Sequence, residues 1–192
     1  MTNLAIFASG AGSNAEKIIE YFKGNDRVQV ALIVCNKPTA GVLKIAEKHE
    51  ISTFLIEKEG FFSQNSCVSV LKEHQIDFII LAGFLWKVPD ALVNAYRGKI
   101  VNIHPALLPK YGGKGMYGMR VHEAVIQAGE TESGITIHHV DEHYDEGAII
   151  FQAKCPIEPG DTPEILAQKV HALEHLHFPK VIAELVASEP KG

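Results

Sequence analysis

The chain opens with a short unbroken apolar run, Leu4-Ala5-Ile6-Phe7-Ala8. Similar runs recur at residues 28–34, at Asp77-Phe78-Ile79-Ile80-Leu81-Ala82 and at Lys99-Ile100-Val101-Asn102-Ile103. Runs of this length without polar alternation are the pattern of strands buried on both faces. Between them the period changes. Ile18, Ile19 and Phe22 fall at helical spacing, residues 41–49 read as a helix, residues 53–56 as a short strand, and residues 66–74 as a helix with Val70 and Leu71 inward. Strand and helix therefore alternate through the first hundred residues. This predicts an α/β fold: a mostly parallel, twisted sheet with right-handed crossovers and helices on both faces. Ser13 and Glu16 fit the S-x-x-E capping box, which predicts a helix capped by Ser13.

The second half has a different texture. Residues 108–120 are rich in Gly, Lys and Tyr and read as a long loop, and residues 121–127 as a short helix. Residues 134–140 and 148–155 are two β-rich runs separated by Asp141-Glu142-His143-Tyr144-Asp145-Glu146-Gly147. Asp161-Thr162-Pro163-Glu164 supplies a capping side chain, a first-turn proline and an acid, the start of a long helix to about residue 186 that Pro179 is expected to kink or break. No repeat, low-complexity tract or long linker divides the chain, so residues 1–192 are expected to form a single domain.

Composition narrows the function classes. Of 192 residues, 46% are hydrophobic and 21% charged, ordinary globular usage that argues against disorder. Lys+Arg is 18 against 23 Asp+Glu, a net charge of −5, where a general nucleic-acid or anionic-membrane binder carries a basic excess. Cys35, Cys67 and Cys155 are odd in number, widely spaced and without CxxC, as in a reducing, cytoplasmic setting. The N-terminus lacks a basic n-region and a long apolar stretch, so no signal peptide is expected, and no run approaches the roughly 20 apolar residues of a membrane helix.

Gly10, Gly12 and Ala15 satisfy the loose G-x-G-x-x-G/A pattern after a strand and into a helix. Bare backbone at a helix N-terminus favours an anion, most often phosphate. Three readings stay open: a dinucleotide site, a simpler phosphate site and a plain turn. The acid that a NAD site places after the second strand is replaced by Cys35-Asn36-Lys37, while Lys37 keeps a 2′-phosphate in play. Walker A is excluded, since no G-x-x-x-x-G-K-[ST] occurs.

Asn102 and His104 stand two apart at the end of a predicted strand, on one face, before Pro105. Open α/β sheets bind ligands beyond the carboxyl ends of their strands. An amide donor and a proton carrier there suit oxyanion stabilisation and proton transfer; a turn histidine beside an Asn cap is the competing reading. Asp145 lies in an acidic seven-residue stretch that reads either as a solvated turn or as the source of a carboxylate facing His104, which would favour the imidazolium. His171-Ala172-Leu173-Glu174-His175 matches the H-x-x-E-H zinc pattern, but a zinc site needs a third ligand and Glu184 is the one evident candidate, so a helix face is preferred. His138 and His139 point to opposite faces of a strand, which argues against shared ligation with His143. Gly112-Gly113-Lys114-Gly115, with Lys110 and Arg120, reads equally as an anion loop or a mobile one. Trp86 either lines a pocket for a flat ring or packs under a loop.

Taken in order, S-G-A-G-S-N at residues 9–14, L-A-G-F at 81–84, N-I-H-P-A-L-L-P-K-Y at 102–111, G-I-T-I-H-H-V-D-E-H-Y-D-E-G at 134–147, I-F-Q-A-K at 150–154 and H-A-L-E-H at 171–175 resemble the folate-dependent formyltransferase family, on its glycinamide ribonucleotide branch. The resemblance covers most of the chain and implies a Rossmann-like formyltransferase fold. Its N-terminal half, about residues 1–100, would bind phosphate, and its C-terminal half, about 101–192, would hold folate and the chemistry. It implies transfer of a formyl group from 10-formyltetrahydrofolate, a co-substrate, to the amine of 5-phosphoribosylglycinamide in purine synthesis, with no metal and with no nucleic-acid or membrane partner. The related tRNA formyltransferases carry an added C-terminal domain for which this chain has no room. Carried over by motif, Asn102, His104 and Asp145 are catalytic. Gly12, Ser13, Asn14 and Glu174 bind the phosphorylated substrate, and Gln64, Leu85, Trp86, Lys87, Val88, Asn102, Val140 and Asp141 contact folate. Many relatives have Met-Arg at Leu85-Trp86 and an Arg at Gln64, and their loop after the Pro109 position is shorter and poorer in glycine. Formyl transfer to another amine, such as that of an amino sugar nucleotide, and a binding module without turnover remain as alternatives.

Overall fold

The computed structural model describes residues 1–63 and 66–188. Its elements are β1 (Thr2–Ala8), α1 (Ser13–Phe22), β2 (Val28–Cys35), α2 (Gly41–Lys48), β3 (Ser52–Leu55), α3 (Lys58–Ser63), α4 (Ser66–Glu73), β4 (Phe78–Leu81), α5 (Asp90–Ala95), β5 (Ile100–His104), α6 (Met119–Gln127), β6 (Glu132–His139), β7 (Ile149–Pro156) and α7 (Pro163–Ser188). The strands form a seven-stranded sheet ordered β3-β2-β1-β4-β5-β6-β7. The fold is thus the expected α/β, mostly parallel sheet with helices. It divides into two compact units, Met1–Val101 and Asn102–Gly192.

In the first unit β1 pairs in parallel with both β2 and β4, and β2 with β3. Leu4, Ala5, Ile6, Phe7 and Ala8 are wholly buried, as a strand covered on both faces requires. Ala15, Ile18, Ile19 and Phe22 form the buried stripe of α1. The helix start differs from the capping-box expectation. Gly12 is the cap, in the left-handed region at φ 84°, and Ser13 is the first helical residue; no side chain caps the helix. The Glu16 carboxylate reaches forward to Lys48 Nζ at 2.7 Å instead of back to the cap. α3 and α5, six residues each, escape a reading by periodicity because fewer than two turns cannot display an apolar stripe.

In the second unit β6 and β7 form an antiparallel pair whose register runs Glu132↔Pro156 to Ile137↔Phe151, with an irregularity between Ile137 and His138. α7 packs against α6, β6 and β7. Thr162 caps it, its Oγ1 accepting the Ile165 N–H at 3.4 Å. Contrary to expectation Pro179 does not break α7, which runs unbroken for 26 residues. A mid-helix proline costs about 3 kcal/mol, and here the buried Phe178, Val181 and Ile182 around it anchor the helix on both sides.

Candidate active site

β5 delivers Asn102 and His104 to its carboxyl end. The His104 ring is buried. Its Nε2 lies 2.7 Å from the Tyr111 carbonyl oxygen. A carbonyl only accepts, so Nε2 carries the hydrogen and Nδ1 is the nitrogen left for proton exchange. That nitrogen faces Asp145 Oδ2 at 3.6 Å. The same oxygen accepts the Gly113 N–H at 2.8 Å, which fixes the carboxylate. A Cβ on Gly112 would meet Leu108 Cδ2 at 2.5 Å and Asp145 Cβ at 3.3 Å, so glycine there lets the loop pass close to the acid without displacing the Leu108 side chain. Asp145 itself holds φ 55°, a left-handed conformation costing on the order of 1 kcal/mol in a non-glycine residue. The segment after His104 is pinned from below. Thr136 Oγ1 donates to the Ala106 carbonyl at 2.7 Å and accepts the Leu108 N–H at 3.0 Å, and Gln152 Nε2 donates to the Leu108 carbonyl at 3.0 Å.

His138 joins this group, and sequence reasoning weighed it only as a metal ligand. Its Nδ1 donates to the His139 carbonyl at 2.8 Å, which leaves Nε2 as an acceptor 3.1 Å from the Asn102 Nδ2. Burial lowers the His138 pKa, against the opposing pull of that backbone bond and of Asp145, so the ring is neutral at neutral pH. Neutral His138 therefore orients the Asn102 amide: one amide hydrogen is spent on it and the other remains to donate. Asp145 Oδ1 stands 3.6 Å from the same Nε2. Strand alternation gives no hint of it, since His138 falls in phase with Gly134 and Thr136 and not with the apolar Ile135 and Ile137.

Of the other sites expected in this unit, Glu174 on α7 is buried and accepts His171 Nδ1–H at 2.8 Å. That bond raises the His171 pKa. His122 on α6 is also buried, and burial first, then the nearby His171, lowers its pKa. His171 and His175 lie with ring centroids 6.2 Å apart. Among the described residues no group of three or more His, Cys, Asp or Glu is arranged to hold a metal ion. His143 is exposed and pairs with Asp141 at 3.8 Å. Val140 and Asp141 begin the β6–β7 loop, where Asp141 Oδ1 accepts the His143 N–H at 2.8 Å. A Cβ on Gly147 would collide with the His139 carbonyl, so glycine closes that loop.

In the first unit, Gly12, Ser13 and Asn14 follow β1, and Leu85 to Val88 follow β4, its parallel neighbour; both groups lie beyond the carboxyl ends of their strands. A Cβ on Gly12 would meet Val42 Cβ at 2.8 Å, so steric closeness as well as φ demands glycine. The uncapped first turn of α1 presents backbone N–H groups. Ser9 couples the two segments, since its Oγ accepts the Leu85 N–H at 3.0 Å and its N–H donates to the Gly83 carbonyl at 3.1 Å. Val88 is buried, Lys87 is paired loosely with Asp90 at 3.8 Å, and Leu85 is exposed. Trp86 packs 5.8 Å from the rings of both Phe61 and Phe62, and Phe84 bridges to Phe7 at 5.3 Å. Phe61 and Phe62 were not foreseen as part of this aromatic wall, because their helix α3 was not. Gln64 lies outside the described residues.

An open, mostly parallel α/β sheet with polar, titratable side chains gathered beyond its strand ends is the arrangement of an α/β enzyme. The chain belongs to the formyl transferase family, whose profile matches residues 2–182. It is 39% identical over 197 residues to the phosphoribosylglycinamide formyltransferase of Bacillus subtilis, covering 100% of this chain and 98% of that one. It is 41% identical over 188 residues to the chloroplastic phosphoribosylglycinamide formyltransferase of Arabidopsis thaliana, covering 95% of this chain and 64% of that longer protein, just under two thirds of its length. The crystal structure of phosphoribosylglycinamide formyltransferase from Bacillus halodurans superposes with a TM-score of 0.88 at 40% identity, over 97% of this chain and 96% of that one. No helix among the described residues is long and apolar enough to cross a membrane.

Proposed function

We propose that the chain transfers a formyl group from 10-formyltetrahydrofolate to the amine of 5-phosphoribosylglycinamide, as one 192-residue domain acting in the cytoplasm. The observation that carries the reading is the convergence of Asn102, His104 and Asp145, with His104 Nε2 committed to a carbonyl and Nδ1 turned toward the carboxylate. The amine nitrogen attacks the formyl carbon, and the carbonyl π pair moves onto oxygen. The proton released by the amine passes through water to His104 Nδ1, and the imidazolium so formed donates Nδ1–H to that oxyanion beside the uncommitted amide hydrogen of Asn102. Collapse re-forms the carbonyl and breaks the bond to N10 of the folate. The proton lost by the amine reaches N10 by way of His104 Nδ1 and water, so tetrahydrofolate and the formamide leave with no net proton change. Asp145 stabilises the ring while it is charged, over 3.6 Å.

The remaining roles follow from place. Gly12, Ser13 and Asn14 hold the phosphate at the N-terminus of α1. Glu174 accepts from the pentose hydroxyls. For the folate, the first unit offers Leu85, Trp86, Lys87 and Val88, where the aromatic rings packed on Trp86 suit flat rings, and the second offers Val140 and Asp141; Gln64 is carried over from the resemblance alone. Gly12, Ser13, Asn14 and Leu85 to Val88 belong to the first unit, and Asn102, His104, Asp145 and Glu174 to the second, so the first unit carries phosphate and folate contacts and the second carries the chemistry. The three free, buried cysteines support a reducing compartment.

The test is a steady-state assay of folate deformylation with 5-phosphoribosylglycinamide present and omitted, in wild type and in His104→Ala. The reading predicts turnover only with both substrates, and its collapse in His104→Ala with both ligands still bound. Deformylation without the amine identifies a hydrolase instead.

A further inference from the structure

The His104 ring is fixed by a carbonyl that belongs to a residue under backbone strain. Tyr111 holds φ 58°, in the left-handed region that a residue with a Cβ rarely adopts. Such a conformation persists only where surrounding contacts impose it. The contacts are at hand. The Tyr111 hydroxyl donates to Glu130 Oε1 at 2.8 Å, and Lys110 Nζ reaches the same oxygen at 2.8 Å. Glu130 sits between α6 and β6, on the turn where the Gly129 and Glu130 N–H groups close back on α6. The loop after β5 is thereby tied to a fixed part of the unit, and the Tyr111 carbonyl is aimed at His104 Nε2 at 2.7 Å.

We propose that Tyr111 and Glu130 are positioning residues for His104: their side-chain hydrogen bond holds the strained Tyr111 backbone, whose carbonyl keeps the ring proton on Nε2 and Nδ1 open for exchange. The charge states support the direction of the bond. Burial and the Glu130 carboxylate push the Tyr111 hydroxyl up, so it stays a donor, and the Lys110 ammonium and then the Tyr111 hydroxyl hold Glu130 down, so it stays an ionised acceptor. Lys110 is exposed, so its bond to the same carboxylate is the weaker restraint on the loop. Without the Tyr111–Glu130 bond the loop relaxes from the left-handed region, the carbonyl leaves Nε2, and the ring is free to place its proton on Nδ1, the wrong nitrogen for accepting one there. The inference rests on the proposed role of His104.

The experiment combines ring-nitrogen NMR of His104 with kinetics on Tyr111→Phe, Glu130→Ala, Glu130→Gln and the control Lys110→Gln. Tyr111→Phe and Glu130→Ala are expected to mix the His104 tautomers and lower kcat about three- to tenfold, the weight of one hydrogen bond, with both KM values little changed. Glu130→Gln, which keeps an acceptor, restores the Nε2–H tautomer and most of kcat, and Lys110→Gln leaves both near wild type. A role confined to stability would lower Tm without moving the tautomer. An Nε2–H His104 in both Tyr111→Phe and Glu130→Ala overturns the proposal. Because the NMR readout needs no turnover, mixed tautomers in an enzyme that transfers no formyl group would uphold the positioning and reject the reaction.

Discussion

Replacing His138 probes how the Asn102 amide is held. The ring contributes one hydrogen bond to Asn102, at 3.1 Å, and does not itself reach substrate in the proposed mechanism. His138→Leu keeps the buried volume roughly constant and deletes the acceptor. One neutral hydrogen bond is worth about 0.5–1.5 kcal/mol net, so kcat should fall about 2- to 13-fold as the amide explores other rotamers. Asn102→Ala removes the oxyanion donor itself and should cost on the order of 10²–10³. His138→Gln, whose carbonyl oxygen can accept from the amide, should recover part of the loss. Since His138 acts through Asn102, the two losses must not add: Asn102→Ala/His138→Leu should be no slower than Asn102→Ala. Acid gives a second arm. Burial holds His138 below the usual histidine range, so protonation at low pH removes the acceptor and kcat should drop there in wild type. The unfolded chain, with histidines near pKa 6.5, binds that proton first, so His138 also makes stability fall as pH drops below about 6.5. The assay is formyl transfer at saturating substrates across pH. Wild-type kcat in His138→Leu, or strict additivity in the double variant, would refute the argument.

Other expectations follow from the same geometry. Gly12→Ala adds a Cβ 2.8 Å from Val42 Cβ at a positive φ. The left-handed penalty and the overpacking together should cost about 2–5 kcal/mol in urea melts, with a raised KM for the phosphorylated substrate; an unchanged melt would contradict it. The Glu174 bond raises the His171 pKa, so its stabilisation is complete below about pH 6.5 and is lost as pH rises through the higher folded value. Glu174→Gln should return the His171 titration, followed by NMR, toward the ordinary range, and an unmoved titration would sink the pairing. Trp86 is the sole tryptophan. Folate binding should quench its emission, and Trp86→Leu should raise KM for formyl folate alone; no quenching at saturation would move the folate elsewhere.

The fold was legible wherever burial is two-sided or periodic. The runs at residues 4–8, 28–34 and 77–82 declared themselves as strands because they are almost wholly apolar without polar alternation. What the sequence concealed depended on geometry between distant positions. Ser13 looked like a cap, yet Gly12 takes that place because Val42 and Ile45 crowd it. Pro179 looked like a kink or a break, yet α7 runs through it because the packing of its neighbours outweighs one lost backbone bond. The pair Asn102 and His104 was visible through strand period, whereas their supports were not. His138 and Asn102 are 36 residues apart, and Tyr111 and Glu130 are 19 apart. No local pattern announces such partners. Phe61 and Phe62 were hidden for a simpler reason, the shortness of α3.

The central claim is direct transfer between two bound substrates. The most direct measurement follows a carbon-13 label in the formyl group of 10-formyltetrahydrofolate by NMR, with enzyme and 5-phosphoribosylglycinamide in molar excess over the folate. Direct transfer predicts that the label appears in the formamide of the product in step with tetrahydrofolate, with formate no faster than in the enzyme-free control. Label released as formate, or retained on the folate while both ligands are bound, would contradict it.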